Sequence, residues 1–216
     1  MKVEDSFIVE KMASTTITEH KYSFENLKDY PPVINGRINA LKFLEATVEL
    51  LRIVESLGKL FAPVRYDMEG NITKIKKLHV TDKSCLLELM LDECSKGKPV
   101  ATEGLLWLNR TLCFFEILFQ EILLCLGSNN VNVNMRKIYT TAYEGSVQKY
   151  HNWVTQQIFA LICRLSPTLL QLLKVMEADT DIAAFTSRLT SFNVTLHLVR
   201  CKIDDFYKDN DLLSDK

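Results

Sequence analysis

Residues 67–78 read DMEGNITKIKKL, and their spacing is that of a helix. Ala62-Pro63 suits a helix start, and apolar side chains recur at Val64, Met68, Ile72 and Ile75. Counting about 100° per residue from Asp67 puts Asn71 near 40°, Lys74 near −20° and the apolar set between about 60° and 140°. A carboxylate, an amide and an ammonium therefore share one narrow stripe beside the hydrophobic stripe. Such a border suits an amphipathic ligand, although a solvated helix face carries the same residue types. Gly70, inside this helix, costs about 1 kcal/mol against alanine and hints at a close approach to the backbone there.

The same 3.6-residue period continues along the chain. Leu41, Phe43, Leu44, Val48, Leu51 and Val54 mark a helix from about Asn35 to Gly58, and a third runs from Thr81 or Asp82 to Lys96-Gly97. A fourth, residues 102–126, is apolar around most of its surface and is expected to be central. The helical pattern over residues 135–165 exceeds an average helix, so a break is expected near His151. Ser166-Pro167 reads as a cap followed by proline, opening a short helix to about Glu177. The last helix takes Asp179 or Thr180 as its cap and ends near Lys208. Seven or eight helices without a strand signal make an all-α fold, packed in two layers.

Composition agrees: of 216 residues only 7 are Gly and 5 Pro, too few breakers for a strand-and-turn protein. A net charge of −1 gives no basic footprint for nucleic acid. The six cysteines form no CxxC pair and sit mostly among apolar residues, as free thiols in a reducing compartment do. The most apolar stretch, residues 111–126, is short and interrupted by Glu116, Gln120 and Glu121, so no transmembrane span is expected. The first 30 residues are polar and lack the pattern of a secretory signal. Three N-x-T sequons, at Asn71, Asn109 and Asn193, fall in helical stretches and are read as unused. The expected organisation is a mobile leader over residues 1–32, one domain over 33–210 and a loose acidic tail over 211–216.

No GxSxG, phosphate-binding glycine loop, HExxH or paired CxxC is present, and neither a cofactor nor a metal is expected. His197 and Cys201 share a helix face without an evident third ligand. Trp107 and Arg110 neighbour each other at i, i+3, an aromatic face beside a cation. The stretch KYHNW, residues 149–153, flanks His151 with two aromatics.

Together these three segments closely resemble the glycolipid transfer protein family, whose signature is a D-x-x-x-N-x-x-K helix, then a W-L-x-R helix, then Y-H-x-W. Asp67, Asn71 and Lys74; Trp107 and Arg110; and Tyr150, His151 and Trp153 occur in that order, and looser likeness runs from about Pro31 to Lys208. The resemblance implies a two-layer helical sandwich holding one sphingolipid, with no enzymatic activity. It implies that Asp67, Asn71, Lys74 and Arg110 contact the head group and that the first sugar stacks on Trp107. His151 with Asp67 would anchor the ceramide amide, and Trp153 with Tyr150 would dock on the membrane. Phe43, Phe114, Phe115 and Phe159 are tunnel candidates for the acyl chains. The implied ligand is a galactosyl-, glucosyl- or lactosylceramide, carried by a cytoplasmic protein that touches membranes transiently; no protein partner is evident. The chain departs from the family pattern at Glu103, where the glycolipid branch usually has an apolar residue, in its leader and in its DLLSDK end. The double-aromatic motif used by some members to bind tethering proteins is also not evident. Two other readings stay open. One is a ceramide-1-phosphate carrier, whose branch resembles D-x-x-x-K with basic residues where Trp107 stands. The other is a sphingolipid sensor or scaffold that does not transfer its ligand.

Overall fold

A computed structural model describes residues 22–128 and 130–212. Within them the chain forms eight α-helices: α1 (Ala40–Ser56), α2 (Ala62–Lys76), α3 (Leu86–Ser95), α4 (Val100–Gly127), α5 (Met135–Glu144), α6 (Trp153–Leu165), α7 (Leu169–Val175) and α8 (Ile182–Asp209). One 3₁₀ turn, Phe24–Asn26, precedes them and two, Lys59–Phe61 and Gln148–Tyr150, lie between them; only isolated β-bridges, Ile34 with Arg37 and Asn39 with Cys85, occur among the described residues. The all-α two-layer sandwich expected from the periodicity is what forms. The long α4 is its axis, packing against α2, α3, α5 and α8, while α1 lies on α2 and α6 lies on α5.

The helix starts differ from the sequence reading, each for a local reason. Asn35 and Gly36 adopt positive φ in a turn closed by Ile34 and Arg37, so α1 begins only at Ala40, where Asn39 caps by accepting from the Lys42 N–H. Ser84 closes a turn on Thr81, and α3 begins at Leu86, whose N–H goes to the Ile38 carbonyl. Ahead of α7, Thr168 rather than Ser166 is the cap, because Gln171 completes a capping box with it. Asp181, not Asp179 or Thr180, caps α8. The expected break near His151 is present: α5 ends at Glu144, and His151 lies between the 3₁₀ turn Gln148–Tyr150 and Asn152, the cap of α6.

The amino-terminal part of the domain reaches further than the leader reading put it. Residues 1–21 lie outside the described residues, but Tyr22 and Phe24 donate backbone hydrogen bonds to Val175 and Met176. Tyr22, Phe24, Leu27 and Tyr30 are buried. Their apolar bodies complete the core between α1, α7 and α8, with Phe24 set edge-on to Phe185. Of the tail, residues 213–216 lie outside the described residues, whereas Leu212 packs on the core and bonds the Tyr207 carbonyl.

Glu93 of α3 accepts from the N–H groups of Ala101 and Thr102 and from the Thr102 hydroxyl, holding the start of α4. The three sequon asparagines are all buried, which leaves no room for a glycan. All six cysteines are free thiols. No single helix among the described residues is long and apolar enough to cross a membrane; α6 and α7 reach that length together only across an 88° bend.

Candidate functional site

The predicted stripe of α2 faces α4 and the link between α5 and α6. Asn71 is 3% exposed, and its Oδ1 accepts from the Lys74 ammonium at 3.0 Å. The Asp67 carboxyl stays open to solvent on one side. Burial on the other pushes its pKa up, opposed by the Lys74 charge and by neighbouring Asn71, His151 and Thr111. One carboxylate thus joins α2, α4 and the α5–α6 link.

The helices meet closely at a glycine, but not the one the sequence singled out. A Cβ on Gly70 would meet nothing within 4 Å, so its backbone opens on space. A Cβ on Gly104 of α4 would stand 3.0 Å from the Lys74 Cδ and 3.5 Å from the Asn71 carbonyl. Gly104 is therefore the floor over which the Lys74 stem lies.

On α4, Trp107 and Arg110 pair as their spacing requires. The Arg110 guanidinium carbon lies 4.6 Å from the centre of the Trp107 ring and 3.6 Å from that of Tyr150. Trp107 and Tyr150 meet edge to face at 6.2 Å. Tyr150, grouped with Trp153 by sequence, thus turns inward onto Arg110. Arg110 Nη1 is buried and has no hydrogen-bond partner among the described residues. Trp153, at the start of α6, is 72% exposed, and Val154 and Ile158 beside it are 58% and 45% exposed. That is an apolar patch next to the site, of the sort Trp occupies at membrane interfaces.

His151 is half-buried. Its Nδ1 lies 3.0 Å from the Tyr143 hydroxyl. Burial lowers its pKa and the Asp67 charge opposes this. From His151 an unbroken line of ring contacts enters the core. Tyr143 stacks flat on Phe159 at 3.9 Å, Phe159 meets Phe114, and Phe114 meets Phe115. The line continues through Phe119, Phe192 and Tyr30 to Phe43. The four tunnel candidates all belong to this one seam.

Thr111, Tyr143 and Gly104 were missed by the sequence reading. Thr111 sits one turn beyond Trp107, and only the crossing of α2 over α4 brings it to Asp67. His197 and Cys201, by contrast, belong to structural pairing: His197 Nδ1 is 2.7 Å from Glu116, which also holds Arg200, and Arg200 joins Asp204. No group of residues able to hold a metal occurs among the described residues.

Residues 38–178 match the family described as Glycolipid transfer protein. The chain is similar to the glycolipid transfer protein of Aureobasidium melanogenum, 35% identical over 140 residues that make up 63% of this chain and 67% of that one. It is also similar to pleckstrin homology domain-containing family A member 8 of Canis lupus familiaris, 30% identical over 155 residues, 67% of this chain and 29% of the relative. The match thus spans less than a third of that longer protein. Among solved structures it is similar to the fungal glycolipid transfer protein HET-C2, with a TM-score of 0.75 and 25% identity over 86% of this chain and 97% of that one. Mouse ceramide-1-phosphate transfer protein shares the fold, with a TM-score of 0.72 and 16% identity over 88% of this chain and 95% of that one.

Proposed function

This chain belongs to the glycolipid transfer protein family, whose members are lipid transfer proteins and not enzymes, and on that premise we propose that it carries one glycosphingolipid between membranes. The observation that carries this reading is the meeting of Asp67, Asn71, Lys74, Thr111 and His151, with Trp107 one helical turn before Thr111 on α4. Asp67 and Asn71 offer acceptors and an amide to sugar hydroxyls, Lys74 donates, and the Trp107 face stacks the first sugar. His151 and Asp67 take the two halves of the ceramide amide. The hydrocarbon enters the aromatic seam beyond the Tyr143–Phe159 stack, toward Phe43, by parting rings that pack on one another. Trp153, Val154 and Ile158 rest in the membrane surface while the lipid passes.

The energetics call for such a carrier. Moving lipid from bilayer to water costs about 0.8 kcal/mol per CH₂, so two chains of about 15 carbons cost more than 20 kcal/mol. An apolar seam that adjoins a polar head-group site removes most of that barrier without covalent chemistry.

Sugar is favoured over phosphate by the groups at hand. A phosphate calls for converging cations, best as a forked guanidinium. Here an amide, Asn71, and not a further cation stands at the fourth position of the motif, and its oxygen accepts from Lys74. Transfer of labelled galactosylceramide and ceramide-1-phosphate between vesicles tests the choice, with Asp67→Val and Trp107→Ala beside the wild type. Galactosylceramide is expected to move faster, and both variants to lose it. Faster movement of the phosphate overturns the reading, and normal transfer by both variants overturns the site.

A further inference from the structure

Tyr143, at the outer end of the aromatic seam, makes the one ring hydrogen bond of His151 among the described residues, 3.0 Å to Nδ1. Its own ring is fixed by flat stacking on Phe159, 3.9 Å away and tilted by 7°. We propose that Tyr143 is a positioning residue that holds the neutral His151 imidazole in its Nε2–H tautomer, making His151 a hydrogen-bond donor to the amide carbonyl of the bound sphingolipid. The inference rests on the reading of His151 as the amide anchor.

The direction of the Tyr143–His151 bond follows from what each group can satisfy. If Nδ1 carried the hydrogen, the Tyr143 hydroxyl would accept it, and its own hydrogen would be left without a described partner in a buried place. Such an orphaned group is costly. If Tyr143 donates instead, both groups are satisfied and the imidazole hydrogen is confined to Nε2. The phenol keeps its proton throughout, since burial pushes its pKa up to about 12. His151 is held below its usual value by burial, so near neutral pH it carries one ring hydrogen and the tautomer decides its role.

An amide presents one donor and one acceptor. Asp67, when ionised, can only accept, so it suits the amide N–H; the carbonyl then needs a donor. An Nδ1–H imidazole would turn a lone pair toward that carbonyl and leave it unpaired. By setting the tautomer, Tyr143 converts a pair of acceptors into a site complementary to an amide.

The test uses Tyr143→Phe, which keeps the ring that stacks on Phe159. Nitrogen-15 NMR of the imidazoles in the lipid-free protein, assigned with a His151→Ala variant, reads the tautomer directly. The wild type is expected to show His151 as Nε2–H, and Tyr143→Phe to populate Nδ1–H. Galactosylceramide binding should weaken about 5- to 10-fold, the effect of losing one net hydrogen bond. In a His151→Ala background the same substitution should have no further effect, because Tyr143 acts through His151. An Nδ1–H wild type, an unchanged tautomer in the variant, or a loss that adds to that of His151→Ala overturns the proposal. Failure of the underlying reading looks different: His151→Ala binds galactosylceramide normally while the tautomer still shifts in Tyr143→Phe, which overturns the amide anchor and with it the donor role.

Discussion

The guanidinium of Arg110 lies 3.6 Å from the centre of the Tyr150 ring and also covers a face of Trp107 at 4.6 Å. Planar and cationic, it braces the indole from one side. Tyr150 lies three residues before the exposed Trp153, so the brace ties the proposed sugar platform to the proposed membrane-facing turn.

Arg110→Met retains the stem and removes the charge and the plane. Two cation–π contacts at a half-buried site are worth about 1–2 kcal/mol together, and the variant should lose about that much in urea unfolding. The emission of Trp107, read in a Trp153→Phe background, should shift as the ring loosens. Unchanged emission would remove Arg110 as the brace.

Asp67 carries a stability cost at neutral pH. Its carboxyl holds its proton more tightly in the folded chain than the ordinary aspartate value of about 3.9. The native state therefore binds more protons there, and stability from this group declines as pH rises from that value through the raised one. Asp67→Asn is neutral and nearly the same shape. It should melt higher than the wild type at pH 7, with the difference shrinking below about pH 4, while glycolipid transfer is lost. Melting curves across that range decide it; a variant less stable at pH 7 contradicts the cause assigned to the shift.

Gly70 has open space at the Cβ position and lies in the helix body. Gly70→Ala should stabilise the protein by about 0.5–1 kcal/mol through helix propensity. Transfer should persist. Loss of transfer in a stabilised variant would mean that the head group passes against this backbone.

Trp153 contributes little to the fold at 72% exposure. Trp153→Ala should leave unfolding within about 0.5 kcal/mol of the wild type. Association with phosphatidylcholine vesicles, followed by flotation, should drop several-fold, and more when Ile158→Ser is added. Equal flotation of all three proteins would move the membrane contact elsewhere.

Much of this was legible in the sequence, for reasons that stop at identifiable residues. Asp67, Asn71 and Lys74 could be put on one stripe, and Trp107 beside Arg110, because helical geometry sets those relations before any tertiary contact forms. The start of α7 was misread because Ser166 and Thr168 are both capping residues, and only Thr168 has Gln171 three positions on. Tyr150 and Trp153 could not be told apart as neighbouring aromatics of a short turn, and only the fold shows Trp153 exposed while Tyr150 packs on Arg110 of α4. Gly70 and Gly104 were indistinguishable as glycines in helical patterns, and only the path of α2 over α4 tells which one is close-packed.

By itself, then, the sequence determined a helical chain, the faces of its helices and the order of the residues with polar chemistry, since these follow from a local period of 3.6 residues. The tertiary structure alone decided which faces meet. It set Thr111 and His151 against Asp67, Tyr143 against His151, and Arg110 between two rings. Hydrogen bonds and ring contacts work only over a few ångströms, so partners far apart in the chain depend on how the helices cross, which no local pattern encodes.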